Sequence, residues 1–154
     1  MSVFTEVTSG LKFPEGPIAM DDGSVILVEM FGPRLTRVLP DGTKQTIAEI
    51  PGGPNGAAMG PNGLVYVCNN GARFFEAELD GFTFPAGSGP DRFFGGRIQT
   101  VDINTGKVTD LYTSCNGVPL SAPNDLVFDE HGGFYFTDHG YQHERNSTLT
   151  GILY

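Results

Sequence analysis

Three stretches of equal length recur along this chain without a gap: Pro14 to Glu29, Pro54 to Asn69 and Pro123 to Asp138. In each copy the proline is followed at once by an oxygen-bearing side chain, Glu15, Asn55 or Asn124. A glycine stands at the same offset in all three (Gly23, Gly63, Gly132), and a short apolar run then leads into a polar residue. Self-similarity of this kind marks a stacked-repeat architecture, in which each unit buries its apolar faces against its neighbours.

The unit that repeats is made of strands. Glycine at 22 and proline at 11 are high together, and such frequent breakers leave no room for long helices. Val25–Val28, Leu64–Val67 and Phe134–Phe136 are apolar runs of β-branched and aromatic residues behind a turn glycine. That pattern predicts strands buried on both faces. Arg34–Leu39, Thr46–Ile50, Arg97–Ile103 and Lys107–Thr113 are more amphipathic, with Asp41-Gly42 and Thr105-Gly106 as tight turns between paired runs. The first unit thus reads as a four-strand meander over Gly16–Met20, Val25–Met30, Leu35–Leu39 and Gln45–Ile50.

Pro14 and Pro54 stand about 40 residues apart, the length of one blade of a β-propeller. The expected fold is all-β, with blade 1 over residues 14–50, blade 2 over 54–114 and blade 3 beginning near 123. Blade 2 carries surplus residues, 72–96, which have no counterpart in the repeat and read as a long loop packed by its own phenylalanines. Blade 3 stops at residue 154 after the start of a third strand, giving about two and a half blades. A propeller closes with four to eight, so the expectation is an N-terminal portion whose C-terminal half lies elsewhere.

Composition narrows the function classes. Hydrophobic residues make up 39% and charged residues 18%, as in a soluble globular protein. The formal net charge of −9 disfavours phosphate backbones and anionic lipid, so neither nucleic acid nor membrane is an expected partner. Acidity suits a protein that collects a divalent cation, and equally one that is merely kept soluble. Cys68 and Cys115 are too few for a disulfide framework. The N-terminus lacks the basic start and apolar core of a signal peptide, so a cytoplasmic location is expected.

In a propeller the innermost strands begin at one height around the central channel, so Glu15, Asn55 and Asn124 are expected to converge. One carboxylate with neutral amide oxygens is the donor set of a hard cation such as calcium, and the lack of cysteine or histidine there argues against zinc. Asparagine before a strand is also an ordinary turn residue, although glutamate has no such turn role. Asp125 follows Asn124 and, by strand alternation, points away from the channel. Asp138, His139 and His143 could reach a channel mouth. Arg73 and Arg97 bracket the surplus segment and read either as substrate contacts or as surface arginines.

Phe13-Pro14-Glu15-Gly16-Pro17, Pro54-Asn55-Gly56 and Pro123-Asn124-Asp125-Leu126-Val127-Phe128-Asp129, with Gly133 to Asp138, together resemble the gluconolactonase/regucalcin (senescence marker protein) family. The resemblance spans essentially the whole chain but only the first half of a family domain. It implies a six-bladed propeller with one axial divalent metal, usually calcium, that hydrolyses lactones. It further implies Glu15 as a metal carboxylate, Asn124 as a metal or substrate contact, and Asn55 as a substrate contact. By the same resemblance the remaining ligands and the general base lie beyond residue 154, leaving the isolated chain inactive. Two alternatives stand beside a lactonase: a non-catalytic propeller scaffold that binds a partner, and a related propeller esterase or phosphotriesterase.

Overall fold

The computed structural model describes residues 4–87, 93–143, 146–148 and 150–154. Strands β1 (Pro14–Ala19), β2 (Val25–Glu29), β3 (Arg34–Val38) and β4 (Lys44–Glu49) form an antiparallel sheet in chain order. The second sheet runs β5 (Pro54–Met59), β6 (Val65–Asn69), β9 (Arg97–Val101) and β10 (Val108–Tyr112). Between β6 and β9 the chain makes a separate hairpin, β7 (Phe75–Leu79) with β8 (Phe82–Ala86). After β10 comes a short pair, β11 (Ser114–Cys115) with β12 (Val118–Pro119). The third sheet holds β13 (Pro123–Phe128), β14 (Phe134–Asp138) and β17 (Gly151–Leu153), with β15 (Gln142–His143) and β16 (Asn146–Ser147) paired between the last two. No helix occurs among the described residues, and none is long and apolar enough to cross a membrane.

The repeat appears as one turn made three times. Gly23, Gly63 and Gly132 have φ of 80°, 76° and 87°, the left-handed region that side chains resist. The residues before them cap the turn: Asp22 accepts from the Ser24 amide at 3.0 Å, Asn62 from Leu64 at 3.2 Å, and Asp129 from His131 and Gly133 at 2.8 and 2.9 Å. Each turn returns the chain along the inner strand, which is why β2, β6 and β14 lie second in their sheets.

The sheets stack face to face in chain order. Ile26, Val28 and Leu35 of the first sheet meet Ala57, Val65, Val67 and Val101 of the second in one dry cluster. Cys68 and Ile98 on the opposite side of the second sheet meet Leu126 and Phe136 of the third, with Leu120 alongside. Strands β6 and β9 in the middle of the second sheet are therefore covered on both faces.

The surplus segment is not a loop throughout, because part of it is the β7–β8 hairpin. Asp80 and Gly81, with φ of 52° and 80°, make its turn in the mirror-image geometry that hairpins favour. Its aromatics do not bury one another fully: Phe82 is 75% exposed, and Phe75 and Phe84 are exposed as well.

Candidate functional site

What holds Glu15, Asn55 and Asn124 in place is the last residue of each repeat. Glu29, Asn69 and Asp138 are all buried, and each accepts hydrogen bonds from backbone just ahead of its own blade's proline. Glu29 takes the Lys12 amide at 2.7 Å, and Asn69 takes the Gly53 amide at 3.0 Å. Asp138 takes the amides of Ser121 and Ala122, both at 2.8 Å. Backbone bonds repeat the same tie, from Met30 to Phe13, Asn70 to Gly53 and His139 to Ala122. The entry of each inner strand is thus clamped from beneath by the end of the second strand. In sequence this role left one signal, an invariably polar residue closing an apolar run.

Each inner strand then bulges where the site residue sits. Register slips between Glu15 and Ile18, between Pro54 and Ala57, and between Pro123 and Leu126. A bulge bends its strand and re-aims side chains, a device common beside binding sites. The residue after the site residue brings the blades together. A Cβ on Gly56 would lie 2.5 Å from the Asn124 carbonyl oxygen, and one on Gly16 would strike the Ala57 amide nitrogen. Only glycine permits that approach.

The outcome is contact between side chains far apart in sequence. Asn55 Nδ2 donates to Asn124 Oδ1 at 2.5 Å, joining the heads of blades 2 and 3. Glu15 occupies the equivalent place on β1, half-buried. Its carboxyl is held above the ordinary value, chiefly by burial and then by the negative charge of Asp125, against a lowering hydrogen bond from the Gly16 amide. Asp125 is where strand alternation fails. The bulge at Pro123–Leu126 breaks the alternation, and the Asp125 carboxylate lies against Gly56 with its field on Glu15. The third repeat has Asp125 where the first two have Gly16 and Gly56, a signal legible in the sequence.

This donor set suits a hard cation. Glu15 belongs to none of the ion pairs among the described residues, and a second carboxylate raises its proton affinity. A cation would relieve that repulsion. The Asn124 oxygen, though bonded to Asn55, retains a second lone pair. Calcium takes six to eight oxygens, so Glu15 and Asn124 would furnish part of a shell. No group of three or more His, Cys, Asp or Glu with metal-holding geometry occurs among the described residues.

The other candidates separate into structural roles. Asp138 uses its two oxygens on the amides of Ser121, Ala122 and Gly140. His139 lies edge-on to Phe74, with ring centroids 6.5 Å apart. The side chain of His143 lies outside the described residues. Arg97 pairs with Asp110 at 3.3 Å and donates to the Phe94 and Gly95 carbonyls. Arg73 is not at the surface: it is 5% exposed and lines a cavity of about 860 Å³ that none of Glu15, Asn55 and Asn124 lines. Cys68 is a fully buried thiol, its pKa pushed well up by burial.

Comparison with known proteins bears on the fold and the family. No curated protein sequence matches the chain significantly. The gluconolactonase of Xanthomonas campestris superposes with a TM-score of 0.62 at 22% identity, over 83% of this chain and 35% of that one. A structural-genomics target described as a candidate gluconolactonase superposes at 0.59 and 20% identity, over 84% of this chain and 37% of its own. The chain thus spans little more than a third of either neighbour, and the likeness identifies its stacked sheets as part of a β-propeller. Residues 13–154 match the profile of the SMP-30/Gluconolactonase/LRE-like region, so the chain belongs to that family.

Proposed function

We propose that this chain contributes the first blades of a metal-dependent lactone hydrolase of the gluconolactonase type, completed as a ring by further blades. The observation that carries this is Glu15. It is a half-buried carboxylate with a raised pKa and no ion-pair partner among the described residues, set at the same strand position as the Asn55–Asn124 pair. A scaffold without ligand chemistry has no need of such a group, because a partly buried carboxylate lacking a cationic partner weakens the fold.

Glu15 and Asn124 would hold a divalent cation, calcium by its preference for oxygen donors. Bound there, the cation supplies Lewis-acid polarisation of a carbonyl oxygen. Asn55 orients Asn124 through their shared hydrogen bond and presents amide groups to the hydroxyls of an uncharged sugar lactone. The same arrangement would serve a related esterase or phosphotriesterase, with the surrounding loops deciding between them. The exposed aromatics of the β7–β8 hairpin favour a second reading, a surface for partner binding.

The deciding experiment is Glu15→Gln in the complete ring, assayed for calcium-dependent hydrolysis of glucono-δ-lactone. Loss of roughly 100-fold or more in kcat/KM, of the order seen for removal of a main electrostatic group, supports the metal site. Unchanged activity, or none in the parent protein with calcium present, sinks it.

A further inference from the structure

The cavity of about 860 Å³ is lined by Asp138 and Gly151, which stand in register with Pro123 at the start of β13. Its polar wall centres on Arg73, whose guanidinium carbon lies 3.5 Å from the Phe93 ring centroid and 4.0 Å from that of Tyr141. Two aromatic rings thus enclose a charge that is almost wholly withdrawn from water. Nη2 makes only a long bond, 3.5 Å, to Ser121 Oγ, and Nε is buried with no acceptor among the described residues. Ion pairs among those residues join Glu29 to Arg34, Asp22 to Arg37 and Asp110 to Arg97, and Arg73 is in none. Asp138, which also lines the cavity, has both oxygens committed to backbone amides. Burial accordingly holds the Arg73 guanidinium below its ordinary pKa, against the opposing fields of Tyr141 and Asp138.

A buried guanidinium normally meets a carboxylate or phosphate through its fork of donors. Here Nε is unmatched among the described residues, and Arg73 stands in the wall of a cavity whose apolar lining includes Val118, Leu120 and Leu153. Ser121 Oγ already accepts from Arg73 and from Thr148 Oγ1, the latter at 3.1 Å, which leaves its own hydroxyl hydrogen to donate. We propose that this cavity binds a small organic carboxylate with an apolar body, the carboxylate on Arg73 and Ser121 and the body against Leu120 and its apolar neighbours. The site is separate from the metal site, and nothing in it depends on lactone hydrolysis.

Benzoate and its uncharged isostere benzamide test this on the 154-residue chain by calorimetry or ligand-observed NMR, without calcium. Saturable benzoate binding is expected, with benzamide about tenfold weaker or more, the measure of one charge-assisted contact. Arg73→Gln, checked for folding by circular dichroism, should erase the preference for benzoate. Should that variant unfold, the benzoate–benzamide pair on the wild-type chain still decides. The proposal is overturned by equal affinity for the two probes, by no saturation with benzoate up to tens of millimolar, or by undiminished benzoate binding in folded Arg73→Gln.

Discussion

Glu15 sits half-buried at the head of the first blade with the charge of Asp125 bearing on it. Ionisation is therefore harder in the fold than in the unfolded chain. A raised carboxylate pKa means that the ionised group weakens the fold at neutral pH, and that this penalty fades as pH falls through the raised value towards 4.5. In a carboxyl-detected NMR titration without calcium, Glu15 should titrate above that ordinary value. Asp125→Asn should move its midpoint down, because the second cause of the shift is removed; an unmoved midpoint would refute the coupling. Asp138 offers the opposite lesson, a charge whose work is done by amides. Asp138→Ala would orphan the amides of Ser121, Ala122 and Gly140, at about 1–3 kcal/mol for each buried donor. Urea unfolding should show a loss of about 3 kcal/mol or more, and Asp138→Asn, which keeps one oxygen, a smaller one.

Between elements, the inner strands approach so closely that glycine becomes part of the packing. Gly56→Ala would set a methyl 2.5 Å from the Asn124 carbonyl and the Asp125 Cα. Overpacking of this kind costs about 1–3 kcal/mol, and the displaced β13 would disturb the Asn55–Asn124 bond. Gly151→Ala is the control, since its added methyl meets nothing and its backbone is not left-handed. Thermal unfolding should separate the two, with the control within about 0.5 kcal/mol of wild type. The strands themselves were largely legible, since β2 and β6 begin within the apolar runs Val25–Val28 and Leu64–Val67, and β9 lies inside the amphipathic segment Arg97–Ile103. Hairpin β7–β8 lies in a segment with no copy elsewhere in the chain, so the repeat carries no sign of it. Its Asp80-Gly81 turn between Phe75–Leu79 and Phe82–Ala86 was nevertheless an ordinary hairpin signal. The bulges were not legible, because a register slip is a property of two strands and leaves no mark in either alone.

At the scale of the molecule, each sheet finds cover for its faces in the next, and the stacking is open at the third. Val127, Tyr135 and Ile152 lie exposed at 63%, 46% and 74% around an apolar hollow of about 480 Å³. Residues 1–154 by themselves are expected to bind a hydrophobic dye such as ANS and to associate at raised concentration. Paired substitutions Val127→Lys and Ile152→Lys should reduce both, measured by dye fluorescence and sedimentation; dye binding unaffected by the pair would place the apolar surface elsewhere.

The threefold Pro-[Glu/Asn] repeat, by itself, determined the paired strands within each repeated stretch and the residues that head them, because both follow from local periodicity and turn chemistry. It did not determine that Glu29, Asn69 and Asp138 clamp those heads, or that Asp125 loads Glu15 with charge. Nor did it show Arg73 enclosed between Phe93 and Tyr141. These depend on which blade faces which and on where water is excluded. Burial and through-space charge exist only once the sheets have stacked.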